Sequence, residues 1–298
     1  MSTIRELRDR INSIDNTMKI TNAMYLISST KLRKARQDLQ QTEPYFYMLQ
    51  SMIQRINRHL PKEFKHPYLD RRQNLKASDC RTAIICITAD KGLAGAYNHN
   101  VLKQTEEMLK QHPQSKLFVV GEMGRVYFHT RNIPIEEQFH YTAQNPTLHR
   151  ARVITGRMLD LYTERKIDEV YIVYTRMKNS LEMEAEQQQL LPLDKVQGSA
   201  FTEVPMSVNM EDFNMFPSPK AVIDNVVPDY LNGFIYSALV EAFCSEQNAR
   251  MTAMDAANRN GNELKQSLKT LYNRERQAQI TQEITEVAAG ARAQKGAS

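Results

Sequence analysis

The sequence predicts a Rossmann-like α/β domain inserted between the two helices of a long antiparallel coiled coil. Three observations support this fold class: an apolar heptad repeat at the amino terminus, a proline-free stretch from Asp229 to Ala289, and short apolar runs alternating with helical patterns between them. A helix of about 61 residues would span roughly 90 Å at about 1.5 Å per residue. Because an ordinary globular domain is narrower, we expect this helix to project or to pair with the helix at the other end of the chain.

The amino-terminal helix is predicted from a repeat of alternating three- and four-residue steps. Such a repeat over more than four heptads favours a coiled coil rather than a surface helix. The register continues as far as Leu60, but Pro44 should kink or break the helix because proline lacks a backbone N–H. The first heptads read Ile4, Leu7, Ile11, Ile14, Met18, Thr21, Tyr25, Ser28, Leu32, Ala35 and Leu39.

The carboxy-terminal helix shows a weaker seam. A nine-residue step from Leu271 to Ile280 interrupts the spacing, which predicts a local change of supercoiling. The segment NRNGN at 258–262 also contains poor helix formers. The predicted seam is Val240, Phe243, Gln247, Arg250, Met254, Ala257, Gly261, Leu264, Leu268, Leu271, Ile280, Ile284 and Val287.

The middle of the chain has the pattern of an α/β layer structure with a largely parallel sheet. Strands are predicted at 82–88, 116–120, 167–174 and 182–190, and helices at 95–111, from 121 onward and at 146–162. We therefore divide the chain into an amino-terminal coiled-coil helix (1–60), a central α/β domain (77–200), a proline-containing linker (201–228) and a carboxy-terminal coiled-coil helix (229–298).

Composition narrows the classes of protein. No run of about 18 apolar residues is present, which argues against direct membrane insertion. The start of the sequence lacks an apolar signal core, so we expect an intracellular protein. The three cysteines Cys80, Cys86 and Cys244 have no metal-ligand spacing and should be buried, reduced thiols.

The net charge of +5 comes in part from a basic first helix. The alternative interpretation is that the chain is a coiled-coil protein that binds nucleic acid or acts as a scaffold. No aromatic interleaving or nucleic-acid reader motif accompanies the basic residues. A solvated helix face, or one that docks against acidic protein partners, therefore explains the charge better, and we expect no nucleic-acid partner.

Catalytic, cofactor and metal motifs are not visible. The sequence has no G-x-x-x-x-G-K-[ST] loop, no H-E-x-x-H and no G-x-S-x-G. Gly92 and Gly95 lie between a predicted strand and helix without the G-x-G-x-x-G spacing of a dinucleotide site. We expect them to permit a tight turn, and we predict no catalytic residue, no cofactor and no metal.

Four blocks in order carry a family resemblance. IRELRDRINSIDNTMKITNAM, TADKGLAGAYN, SEQNARMTAMDAANRN and ITQEITEVAAGARA are similar to segments of the gamma subunits of F-type ATP synthases. The likeness extends over essentially the full chain. It implies a rotating, non-catalytic central shaft that couples proton or sodium translocation to ATP synthesis or hydrolysis on a hexamer of alpha and beta subunits. It also implies contacts with the epsilon subunit and the c-subunit ring, and a peripheral place at the cytoplasmic face of the bacterial plasma membrane.

The resemblance also implies coupling residues. Arg250, Gln277, Thr281, Glu283 and Glu286 match positions tied to coupling in the family. An alternative for the last three is that they stabilise the coil against the region Lys19 to Met24. Further contact candidates are Met24, which can face the beta subunits or the second helix, Lys91, which can meet acidic residues of a beta subunit, and Arg276, whose long side chain can hydrogen-bond a moving partner.

Overall fold

A computed structural model describes residues 4–61, 63–70, 80–139, 143–179, 182–193 and 214–296 of the chain. The chain divides into two compact units, Met1–Ser28 with Arg250–Ser298, and Ser29–Ala249. The first and last helices contribute residues to both units. The part of the predicted linker at 201–213 lies outside the described residues.

The elements alternate between strands and helices in the middle of the chain, as the sequence pattern predicts. The three-residue strand Glu137–Phe139 was not predicted, because so short a run carries no periodicity. In chain order the elements are α1 (Ile4–His59), a 3-10 turn (Pro67–Leu69), β1 (Thr82–Ile87), α2 (Tyr97–Gln111), β2 (Lys116–Val120), α3 (Glu122–Thr130), β3 (Glu137–Phe139), α4 (Leu148–Thr163), β4 (Glu169–Met177), β5 (Met183–Leu191) and α5 (Pro219–Gly296).

The sheet has five strands in the order β3-β2-β1-β4-β5. The first four are parallel and β5 pairs antiparallel with β4. All six residues of β1 are buried, as expected for a central strand of a parallel sheet covered on both faces. Arg81 ties the start of this strand to β4, since its Nε lies 2.9 Å and its Nη2 3.1 Å from the carboxylate of Asp168. The predicted Rossmann-like fold class is confirmed.

Helix α1 continues through Pro44 without interruption, so the predicted break is wrong. Proline removes one backbone hydrogen bond, but the apolar seam keeps its register on both sides of it. Leu49, Ile53 and Ile56 on the carboxy-terminal side are buried. Packing of this stripe within the second unit outweighs the local cost of the proline.

Helix α5 begins at Pro219, ten residues before the predicted start at Asp229, and includes Pro228. The Ser218 hydroxyl accepts a hydrogen bond from the backbone N–H of Ala221 (3.2 Å), so serine caps the helix and proline occupies its first turn. Ile223, Val227 and Leu231, four residues apart, are buried. This apolar stripe holds the first turns helical, and the predicted linker is therefore shorter than 201–228.

Two close approaches join α1 and α5 inside the second unit. The Phe46 and Tyr236 rings lie 5.9 Å apart. A Cβ atom on Gly233 would lie 2.2 Å from Cδ1 of the same Phe46 ring. Glycine permits this approach, because any larger side chain would collide with the ring unless the ring moved. No helix within the described ranges is long and apolar enough to cross a membrane.

Candidate functional site

The first unit is an antiparallel pair formed by the start of α1 and the end of α5. Thr21 hydrogen-bonds to Asn258, and Lys265 forms an ion pair with Asp15. A Cβ on Gly261 would lie 3.0 Å from Cγ of Met18. Residue numbers rise along α1 while those of the contacting residues fall along α5, so the two helices are antiparallel as predicted.

The α1 side of the predicted seam is confirmed, because every seam position from Ile4 to Ser28 is buried or half-buried. The α5 side is partly wrong. Leu264 and Leu271 are 52% and 39% exposed, and Ala257 is also exposed. Met254, Gly261 and Leu268 of the predicted seam are buried or half-buried, and so are positions that the seam did not include, among them Asn258, Lys265, Tyr272 and Glu275.

Polar pairing explains the difference. Asn258 and Lys265 take seam positions because each has a partner on α1, and small Gly261 admits Met18 between them. A hydrophobicity pattern selects leucines, so it misses a seam fixed by paired polar side chains and one glycine. The signal in the sequence was the exact heptad spacing of Asn258, Lys265 and Tyr272.

The Lys265 side chain also fixes the ionisation of Asp15. Its hydrogen bond lowers the pKa of the Asp15 carboxyl below 3.8, and Lys269 and Lys19 act in the same direction. The carboxylate is therefore charged at neutral pH and pairs with the ammonium group across the two helices.

Beyond this pairing, α5 presents a long exposed end. A groove between the start of α1 and α5 is lined by Arg5, Arg8, Tyr272 and Gln279, among others. Past Gln279 every side chain described, as far as Arg292, is exposed. Ile280, Ile284 and Val287 form an apolar stripe there, with exposures of 45%, 63% and 73%. Such a stripe is a candidate protein contact.

Five predicted coupling residues lie on the exposed part of α5 that begins at Arg276. Arg276, Gln277, Thr281, Glu283 and Glu286 are all exposed. Hydrogen bonds to two of them come from within α5, since Gln279 donates to Glu283 (3.0 Å) and Gln282 donates to Glu286 (2.9 Å). The region Lys19 to Met24 lies instead beside Asn258 and Gly261. The alternative in which Thr281, Glu283 and Glu286 stabilise the coil against Lys19 to Met24 is therefore wrong.

The other three candidates lie elsewhere. Met24 is half-buried on α1, between the seam residues Thr21 and Ser28. Arg250 is only 8% exposed. Lys91 is exposed in the turn between β1 and α2. The structure thus brings five candidates together on one helix end, whereas Lys91 belongs to the second unit.

The turn after β1 packs against helix α5. Ala89, Ala94 and Tyr97 form a buried cluster with Ala249 of α5. The backbone N–H of Ala89 donates to the side-chain oxygen of Asn98 (2.9 Å). Leu93, at the apex, has φ +60 and is 67% exposed. Sequence reasoning missed this leucine, whose strained backbone and exposure are typical of a functional contact.

Asp90 fills the end of the sheet where related α/β folds bind phosphate. Its Oδ1 accepts a hydrogen bond from the backbone N–H of Glu122 (3.3 Å) at the start of α3. Burial raises the pKa of Asp90, against the effect of backbone hydrogen bonds from Ala143 and Gln144. An acidic side chain of the chain itself therefore occupies the helix terminus that would attract an anionic ligand.

Metal ligands and reactive thiols were sought among the described residues. No group of three or more His, Cys, Asp or Glu in those ranges could hold a metal ion. Burial raises the pKa of Cys86 to about 12 and those of Cys80 and Cys244 to about 11. Neutral thiols are poor nucleophiles. Cys86 and Cys244 are buried as predicted, whereas Cys80 is half-buried.

Comparison with known proteins decides the family. The family model described as ATP synthase matches residues 3–294. The ATP synthase gamma chain of Acetivibrio thermocellus is 42% identical over 99% of this chain and 100% of its own length. The sodium ion specific ATP synthase gamma chain of Acetobacterium woodii is 35% identical over 97% and 98%. The chain belongs to the ATP synthase gamma chain family.

Solved structures agree on the fold of this gamma-family chain. A chain of the Euglena gracilis mitochondrial ATP synthase is 18% identical, with a TM-score of 0.65 over 97% of this chain and 94% of its own. A chain of the Tetrahymena thermophila mitochondrial ATP synthase central stalk and c ring is 20% identical, with a TM-score of 0.59 over 80% and 99%. At such identities the likeness concerns the fold alone.

Proposed function

We propose that this gamma-family chain is the rotating central shaft of an F-type ATP synthase. The observation that carries the proposal is its full-length similarity to gamma chains, together with a two-helix unit whose longer helix ends in an exposed apolar stripe. The chain is not itself catalytic. Nucleotide chemistry belongs to the alpha and beta subunits, which surround the shaft.

The proposed partners follow from the same role. The two-helix unit turns inside the alpha and beta hexamer, and the α/β domain meets the epsilon subunit and the c ring. Flow of protons or sodium ions through the membrane sector turns ring and shaft. Because the shaft transmits rotation rather than ions, either ion is compatible with it. We place the complex at the cytoplasmic face of the bacterial plasma membrane, as expected from the bacterial relatives.

The exposed end of α5 supports a bearing-like contact. Ile280, Ile284 and Val287 offer apolar contacts with little directional preference. Such contacts let a shaft turn without settling at one angle. Arg276 and Gln277, nearer the paired region, offer directional hydrogen bonds to carboxylates of the hexamer.

The remaining contacts are proposals of the same kind. Lys91 and Leu93 project from one turn, so a cation and an apolar side chain are presented together to a beta subunit. Met24, Thr281, Glu283 and Glu286 are proposed coupling residues on the two helices. Arg250 is proposed to act from a buried position. The nucleic-acid alternative gains no support from the family match or the relatives.

Single-molecule rotation tests the proposal. A probe is attached to Val126→Cys, which is exposed on α3, in a Cys80→Ser background, with the alpha and beta hexamer fixed to a surface. ATP should drive rotation of the probe in one direction. A probe that stays fixed while the same complexes hydrolyse ATP would rule out the rotor role.

A further inference from the structure

The end of β4 is linked by polar contacts to both long helices. Arg176 of β4 forms an ion pair with Glu241 of α5, with 3.6 Å between Nε and Oε1. Ser245, one turn further along α5, donates its hydroxyl to the carbonyl of Thr175 (3.1 Å). We call Thr175, Arg176, Glu241 and Ser245 the β4 clamp.

Neighbouring contacts extend the clamp to β5 and α1. Arg176 also pairs with Glu186 of β5, with 3.6 Å between Nη1 and Oε2. The Asn248 amide of α5 approaches Sδ of Met183 at 3.8 Å. Arg36 of α1 donates to Sδ of Met177 at 3.4 Å. The end of one strand thus contacts both helices.

The surroundings of the clamp are buried. Every residue of α5 from 242 to 250 is buried, including the polar side chains from Ser245 to Asn248. The Arg176 side chain is 23% exposed and that of Glu241 is 14% exposed. An ion pair so shielded is less weakened by water and salt than one on the surface.

Directional contacts suit the transmission of torque. Apolar packing resists separation of a helix from a sheet, but it is non-directional. Hydrogen bonds and ion pairs depend on distance and angle, so they resist displacement along and around the helix. We propose that the β4 clamp positions α5 on the sheet and transmits torque between the α/β domain and the shaft helices.

This inference rests on the proposed rotor function, and its test uses the whole membrane-bound complex. The test variant is Glu241→Gln, which weakens the bridge from Arg176 to α5. The matched control is Glu186→Gln, which changes the same kind of pair at the same distance but leaves the bridge to α5 intact. ATP hydrolysis per complex and ion pumping per ATP are measured in inverted vesicles as the opposing gradient rises.

Glu241→Gln complexes should assemble and hydrolyse ATP at the wild-type rate while the gradient is small. Against a large gradient their pumping per ATP should fall about twofold or more, the size expected from a pair coupling at the low end of its usual range. Glu186→Gln complexes should pump as many ions per ATP as the wild type under the same gradient. Ser245→Ala, which removes one clamp bond without a charge change, should shift pumping in the same direction as Glu241→Gln.

Equal pumping by Glu241→Gln and the wild type, or equal losses in Glu241→Gln and Glu186→Gln, would overturn the inference. If neither Glu241→Gln nor Ser245→Ala formed a complex, the two residues would be needed for folding or assembly rather than for torque, and this result would also overturn the inference. Absence of ATP-driven pumping by the wild-type complex would contradict the proposed function instead.

Discussion

At the scale of single residues, small and paired side chains fix where the helices meet. Gly233 admits the Phe46 ring, and Gly261 admits Met18. Asp15 and Lys265 pair across the first unit. The two glycines and the two charged residues contribute little apolar area. Their effect is to select one register among the several that an apolar seam alone permits.

Gly233→Ala should destabilise the second unit. The new Cβ would lie 2.2 Å from the Phe46 ring, and overpacking of this kind costs about 1–3 kcal/mol. Alanine favours a helix by about 1 kcal/mol over glycine, so Gly156→Ala in helix α4, with nothing within 4 Å of its Cβ, is the control. The melting temperature of the assembled complex should fall for Gly233→Ala and not for Gly156→Ala. Equal melting temperatures would show that the ring moves aside at no cost.

Asp15 should make the pairing of the first unit sensitive to acid. Its pKa is lowered in the folded chain by Lys265, so ionised Asp15 stabilises the fold above the unfolded pKa near 3.8. This contribution is lost as pH falls through the lowered folded value. In circular-dichroism melts of the dilute full chain, the deficit of Asp15→Asn relative to the wild type should shrink below about pH 4.

The control for this pH effect is Asp255→Asn, which removes a pair with Arg259 inside α5 (2.9 Å) rather than between helices. It should show a smaller deficit at neutral pH, because exposed pairs within one helix contribute little. A deficit of Asp15→Asn that stays constant from neutral to acid pH would contradict the assigned cause.

At the scale of elements, α5 has four successive environments. Its first turns pack by an apolar stripe, residues 242–250 are all buried, the part around Asn258 and Lys265 pairs with α1, and the segment after Gln279 is exposed. One continuous helix passes through all four because its side chains change along the chain while its backbone hydrogen bonds do not. The exposed end therefore depends on partners for burial of its apolar stripe.

Nested truncations test the exposed end of α5. Removal of 294–298 should leave ATP synthesis near the wild-type rate. Removal from Arg276 onward deletes the apolar stripe and the proposed hydrogen-bonding residues, but it leaves the pairs Asp15–Lys265 and Thr21–Asn258 in place. Synthesis in membrane vesicles should then fall about tenfold or more, corresponding to about 1.4 kcal/mol. Hydrolysis should fall less because it requires less torque, and equal synthesis by the two variants would remove this segment from the coupling surface.

At the scale of the whole molecule, exposed apolar side chains are concentrated in one of the two units. Ile20, Leu26 and Ile27 on α1 are 56–62% exposed, and the stripe at the end of α5 is exposed as well. Both groups belong to the unit formed by the start of α1 and the end of α5. This distribution fits a subunit that functions inside a sleeve of other subunits.

The isolated chain should therefore self-associate. Exposed apolar patches drive association in water, and alpha and beta subunits should prevent it by covering the same surface. Sedimentation velocity over a range of concentrations should show species larger than a monomer for the chain alone. The double variant Ile284→Ser with Val287→Ser should reduce this association. A stable monomer at high concentration would contradict the prediction.

The sequence by itself determined the fold class, the α1 seam and the order of elements, because each depends on periodicity along a continuous segment. Tertiary structure decided the α5 seam, where Asn258 and Lys265 take half-buried positions because Thr21 and Asp15 lie opposite them. It also decided that helices continue through Pro44 and Pro228, because packing of neighbouring apolar residues outweighs a local preference. The β4 clamp joins residues far apart in the chain, so no local pattern could indicate it.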